Sequence, residues 1–111
     1  EITLDKITPK FYRIMEQMAP FGPGNLRPLF LTKNCLDGGE TKAVGSNQNH
    51  LKLDVTDSSK SNLSGIGFDM ANNIIKIKSR ELFQILYTLD ENEFRGAKSL
   101  ELKLNDIRFS N

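Results

Sequence analysis

Tryptophan is absent from this 111-residue chain, cysteine and histidine occur once each, and neither sign of charge dominates. The lone Cys35 excludes an internal disulfide framework and fits a reducing compartment. One histidine and one cysteine are too few for a zinc site of the usual Cys/His kind. Fifteen basic residues stand against 14 acidic ones, a net charge of +1. A nucleic-acid-binding domain is usually basic overall, so any such binding here has to rest on local placement of charge. No apolar run approaches the ~20 residues of a membrane helix, and no signal-peptide pattern opens the chain. The expectation is a soluble, cytoplasmic, monomeric domain without a membrane partner. The first residue is Glu1 rather than Met, which fits a piece of a longer protein. A domain this long can bury roughly 65% of the surface its unfolded chain exposes, enough for one core.

What is present begins with a helix signal. Thr8 can cap, Pro9 suits the first helical position, and Ile7 and Tyr12 sit where a hydrophobic staple would close the entry. Phe11, Ile14, Met15 and Met18 follow as one apolar stripe, expected to face the core. Pro20 ends the helix at Ala19. The next stretch, Ala19 to Asn25, holds two prolines and two glycines in seven residues. It is expected to be a stiff elbow, with Phe21, Gly22, Gly24, Asn25 and Pro28 as its structural residues. That role ranks ahead of a direct ligand contact by Asn25 or Arg27.

From Pro28 the period changes to two. Strands are expected from Leu29 to about Leu36, over Thr41 to Gly45 after an Asp37-Gly38-Gly39 turn, and over His50 to Val55, where Leu51, Leu53 and Val55 share one side. Ile66 and Phe68 share a face in the next strand, and Gly65 and Gly67 between them suggest a bend or a close backbone approach. Asp69 can cap a short helix reaching Ile75. Leu82 to Leu89 fits either a helix or a strand. The strand is preferred because aromatic and β-branched residues dominate. Asp90 to Glu93 is expected to be an acidic connector. Leu100, Leu102 and Leu104 alternate in a last strand, and a bulge near Asn105-Asp106 would return Ile107 and Phe109 to the core side. The order fits a mainly β protein. Its fold would be a five-stranded Greek-key barrel of the oligonucleotide/oligosaccharide-binding (OB) kind, with an N-terminal amphipathic helix and a short helical link. An SH3-like barrel or a small sandwich competes. Residues 1–26 would form the leading helix and elbow, and residues 27–111 the barrel.

No constellation for catalysis stands out. Pro23 leaves Gly22-Pro23-Gly24 short of the N–H groups that cradle a phosphate. Cys35 lies in an apolar run and is expected to be inert. Single-stranded nucleic acid needs cations along a groove and exposed rings for stacking. Lys42, His50, Lys52, Lys98 and Lys103 occupy polar strand positions, Arg95 lies in the loop before the last strand, and Phe94 and Tyr87 can offer rings. An ordinary solvated surface is the competing reading of the cations. A hairpin turn with its ring tucked into the barrel end competes for Phe94-Arg95-Gly96.

The segment from Phe21 to Phe30 resembles the "PFGxGNxxPxF" stretch of RecJ-type single-stranded-DNA exonucleases. His50-Leu51-Lys52-Leu53 is similar to that family's "HLKL" strand, and Ile66-Gly67-Phe68 to its "IAF" strand. Asn92 to Gly96 resembles its "NEWxG" turn, and Leu100 to Ile107 its closing strand. The matches keep the family's order and cover essentially the whole chain. Phe94 stands where tryptophan is usual, which keeps a π-face without an indole N–H. The resemblance implies the OB domain of such an exonuclease, which helps hold single-stranded DNA for 5′ to 3′ degradation in recombination and repair. It also implies that Mn²⁺ or Mg²⁺ belongs to a separate catalytic core of the same polypeptide, and that this chain, with His50 alone and no His-His pair, is catalytically silent and carries no cofactor.

Overall fold

A computed structural model describes residues 1–18 and 27–110. Phe21, Gly22, Gly24 and Asn25 of the expected elbow lie outside the described residues. The chain begins with a 3₁₀ turn at Leu4–Lys6 and helix α1 at Pro9–Met18. Strands β1 (Phe30–Asp37), β2 (Lys42–Val44), β3 (His50–Thr56) and β4 (Asn62–Gly67) follow. A 3₁₀ turn at Ala71–Asn73 leads into helix α2 (Ile74–Lys78), and β5 (Phe83–Phe94) and β6 (Ala97–Phe109) complete the chain. The architecture is mainly β and OB-like, with six strands in one mixed sheet among the described residues.

Helix α1 starts where its cap allows. The Phe11 N–H donates to the Thr8 hydroxyl at 3.1 Å, and Ile7 and Tyr12 are both buried beside that entry. The stripe expected to face the core does so only in part. Phe11 and Met15 pack against the core, while Ile14 is 46% and Met18 82% exposed. The side of α1 that does bury carries Tyr12, whose ring is one of the core residues.

The strand pairings close on themselves. β1 pairs with β5, β5 with β6, β6 with β4, β4 with β3, and β3 again with β1. The β4–β6 pairing is parallel and the others are antiparallel. Among the described residues five strands thus take part in the ring, and β2 is a sixth that pairs with β3 alone. The break between β1 and β2 follows from Asp37. Its Oδ1 accepts from the Gly39 N–H at 3.0 Å and from the Thr41 hydroxyl at 2.7 Å, which ties off a turn.

Leu51, Leu53, Val55, Phe83, Ile85, Tyr87, Leu89, Leu102 and Leu104 alternate into the ring and are buried. Leu4, Ile7 and Tyr12 join the same cluster, so the N-terminal segment shares one core with the strands rather than forming a separate layer. Burying a Leu- or Phe-sized side chain contributes roughly 1.5–3 kcal/mol, which makes this shared cluster the main source of stability. Gly65 is buried within β4, and a Cβ there would lie 3.1 Å from Leu102 Cβ and backbone oxygen. The glycine lets β4 and β6 approach, as the sequence pattern suggests.

Four further expectations meet the structure. Leu86 pairs with Asp106 and Tyr87 with Leu104, so Asn105 is an extra residue, and the bulge returns Ile107 and Phe109 to the core side. Of the ambiguous stretch Leu82 to Leu89, Phe83 to Leu89 are strand, the preferred reading, and Leu82 lies just before it. Asp90 to Glu93 is not a connector but part of β5, because each residue has a partner on β6. Glu93 faces Lys98 and the Asn92 amide donates to Glu101 Oε1 at 3.0 Å. Nor does Asp69 cap a helix. Its φ of +60° turns the chain, and its carboxylate accepts from the Asn49 amide at 2.6 Å.

Candidate nucleic-acid interface

The pleat decides which candidate residues meet. In β3 the inner positions are Leu51, Leu53 and Val55, so His50, Lys52 and Asp54 point outward. The ladder registers then set one transverse row on the outer face: Lys42 opposite Lys52, Lys52 opposite Ile66, Ile66 opposite Lys103, and Lys103 opposite Thr88. At the usual ~4.8 Å between strands, Lys52 and Lys103 stand roughly 10 Å apart. Lys42 and Lys52 have no acidic partner among the described residues. Lys103 contacts Asp90 at 3.1 Å, and Arg27 reaches the same carboxylate at 3.6 Å. Arg27 also donates to the Leu89 carbonyl at 3.0 Å.

A second row lies one pleat away. Val44 faces His50, and beyond His50 comes Phe68. The two rings meet edge to face, 5.2 Å apart and at 78°. The Asp69 N–H donates to His50 Nδ1 at 3.0 Å, which leaves the ring proton on Nε2. Phe68, the first residue after β4, is 59% exposed and reaches the outer face through its contact with His50. Phe68 is a site residue that the sequence pattern of cations and rings does not single out. Its signal was present in Gly65 and Gly67: with glycines on the inner parity, the residues between and after them face out.

The remaining candidates lie elsewhere. Phe94, Arg95, Gly96 and Ala97 form the β5–β6 hairpin turn, with Arg95 at φ +52° and Gly96 at φ +80°, the two-residue I′ geometry. Phe94 is 73% exposed and not tucked into the barrel end, and the Arg95 guanidinium lies 5.1 Å from its ring centre. This tip is six residues along β5 from Thr88, about 20 Å at ~3.4 Å per residue. Lys98 does not join Lys103. It pairs with Glu93 on the opposite face of the ribbon and lies 4.0 Å from the Glu91 carboxylate. Tyr87 cannot stack with a ligand, because it is fully buried and its hydroxyl bonds Thr32 at 2.7 Å. Burial pushes the Tyr87 phenol up to about 12. Burial likewise pushes the Cys35 thiol up to about 12, which suppresses the reactive thiolate at neutral pH. Pro28, the described member of the expected elbow, lines an apolar groove with Phe11, Ile14, Met15, Met18 and Phe30.

The crystal structure of RecJ in complex with Mg²⁺ from Thermus thermophilus superposes with a TM-score of 0.57 at 19% identity. The match covers 90% of this chain and 14% of that one, so the fold is shared and the chain spans a small part of that protein's length. A mitochondrial single-stranded DNA binding protein from S. cerevisiae is also similar, with a TM-score of 0.49 at 13% identity over 77% of this chain and 95% of that one. Comparison with curated protein sequences found no match. The model of the RecJ OB domain family matches residues 1–106, and the chain belongs to that family.

Proposed function

We propose that this chain is the non-catalytic, single-stranded-DNA-binding OB domain of a RecJ-like 5′–3′ exonuclease acting in DNA recombination and repair. The ring of five paired strands is its Greek-key barrel, and the row Lys42–Lys52–Ile66–Lys103 is the path of the strand. The observation that carries this reading is the pairing register itself, which aligns Lys42, Lys52 and Lys103 in one row across β2, β3, β4 and β6 on one outer face, with Ile66 of β4 between the last two. Phosphates supply the attraction and the row supplies the track. The Phe94–Arg95 tip is a second contact for a strand that continues beyond the barrel. Cutting, with its Mn²⁺ or Mg²⁺, belongs to another part of the polypeptide. The domain needs no cofactor of its own and works as a monomeric cytoplasmic unit.

Fluorescence anisotropy with a labelled ~20-mer at low salt tests the reading. Binding should be weak, because few cations contribute, and its logarithm should fall with log salt by about 0.7 per neutralised phosphate. Lys52→Ala and Arg95→Ala should each weaken binding and flatten that slope. No binding by the wild-type chain at low salt would overturn the proposal.

A second reading has its own observation. The groove of about 350 Å³ between α1, Pro28 and Phe30 is almost wholly apolar. An interaction role, with the barrel docked on the catalytic core or on a partner protein, would use such a surface. The two roles are compatible, since the groove and the lysine row share no residue.

A further inference from the structure

We propose that Phe68, braced by His50, is a stacking platform for one unpaired nucleobase at the side of the lysine row. The inference rests on the single-strand reading above and adds a base contact to its phosphate contacts.

An aromatic ring that is 59% exposed in a folded chain loses hydrophobic burial, so what holds it there is informative. Two elements hold Phe68. The His50 ring meets it edge to face at 5.2 Å, which supports one side and leaves other ring surface open to solvent. The backbone that follows is locked by the Asp69 N–H donating to His50 Nδ1 and by the Asn49 amide donating to Asp69 Oδ1. The Ala71 N–H donates to the Asn49 carbonyl at 3.1 Å and adds a third tie. Asp69 adopts φ +60° to make this turn, an uncommon conformation for a non-glycine residue. The ring is therefore pre-positioned, and stacking on it has little side-chain ordering to overcome.

Its neighbours suit a nucleotide. Lys52 lies two residues along β3 from His50, the residue whose ring packs on Phe68, and points to the same outer side as His50. Lys42 lies beyond Lys52, and neither lysine has an acidic partner among the described residues. A base on Phe68 thus brings its own phosphate toward free ammonium groups. His50 offers a ring N–H at Nε2 as a further donor. Every base has a π-face, so the platform should be tolerant of sequence.

The test compares two labelled 20-mers of equal charge, oligo(dT) and a strand of abasic spacers, titrated against the full chain. The wild type should bind oligo(dT) more tightly than the abasic strand. Phe68→Ala should lose roughly 5- to 150-fold for oligo(dT) and leave the abasic affinity within about twofold. Phe68→Leu, which keeps apolar bulk without a π-face, should behave like Phe68→Ala. Because the chain has no tryptophan, Phe68→Trp introduces a single indole reporter. Its emission should be quenched by oligo(dT) and unchanged by the abasic strand. Equal wild-type affinities for the two strands, with a normal salt slope, would overturn the platform and leave the lysine path standing. Binding of neither strand would overturn both. Equal loss for both strands in Phe68→Ala and Phe68→Leu would mark Phe68 as structural and also overturn the platform.

Discussion

Lys42 and Lys52 face each other directly across β2 and β3, and no acidic side chain among the described residues neutralises either. Like charges placed directly opposite destabilise a sheet, by roughly 0.2–1 kcal/mol. β2 has only three residues and pairs with β3 alone among the described residues, so the repulsion falls on a short edge pairing. Lys42→Thr removes the repulsion and installs a better strand former. It should raise the unfolding free energy, measured by urea denaturation, by an amount within that range and weaken oligonucleotide binding, with a salt slope smaller by about 0.7. Gain of stability with undiminished binding would show that the pair serves no anion.

Asp90 works against the same row. Its carboxylate lies 3.1 Å from Lys103 and 3.6 Å from Arg27, so one negative charge faces two positive ones. Asp90→Asn should leave Lys103 free for a phosphate, tighten binding a few-fold and steepen the salt slope. All three groups are partly exposed, and such pairs contribute about 0–1 kcal/mol, so the melting temperature should hardly move. Arg27 keeps its bond to the Leu89 carbonyl, which preserves its anchorage on β5. Unchanged affinity would mean that Lys103 lies off the path.

Much of this arrangement was written in the parity of the strands. The clean alternation of His50 to Val55 gives the outward face of β3 directly, and the parity slip between Leu104 and Ile107 announces the Asn105 bulge. The same arithmetic separates Lys98 from Lys103, which are an odd number of residues apart, and places Tyr87 inside with Phe83, Ile85 and Leu89. Composition misled where it stood in for pairing. Asp90 to Glu93 has the charge of a solvated connector, yet a two-stranded ribbon reaching beyond the core can expose both faces and still satisfy its backbone. Asp69 carries a local capping signal, but its contacts with Asn49 and His50, some twenty residues away, take precedence. Such long-range bonds cannot be read from neighbouring residues.

At the hairpin tip, Arg95 and Gly96 both have positive φ. Asparagine tolerates this conformation better than arginine, and glycine better than alanine. Arg95→Asn gives up a cation–π contact of about 0.5–1 kcal/mol and relieves backbone strain of similar size, so the fold should stay within about 0.5 kcal/mol of wild type. Gly96→Ala should destabilise it by roughly 1–2 kcal/mol. Chemical denaturation of the two variants checks both values. If Arg95→Asn also lowers oligonucleotide affinity, the arginine is kept at this position for its ligand and not for the turn.

The Asp37 carboxyl couples the β1–β2 turn to pH. Burial alone would raise its pKa. The Thr41 hydroxyl, the Gly39 N–H and the Lys78 ammonium, 3.2 Å away, outweigh that and hold it below the ordinary value. In the unfolded chain the group returns to the usual aspartate pKa of about 3.9. A carboxyl depressed in the folded state stabilises fully above the unfolded value, and that contribution is lost as pH falls through the folded one. Asp37→Asn keeps an acceptor oxygen for the turn but carries no charge for Lys78. It should therefore be less stable than wild type at pH 7, and the difference should narrow steadily below about pH 4. Thermal melts from pH 7 to pH 2.5 measure this directly. A gap that stays constant over the whole range would mean that the Asp37 charge does not stabilise the fold and that only its hydrogen bonds do.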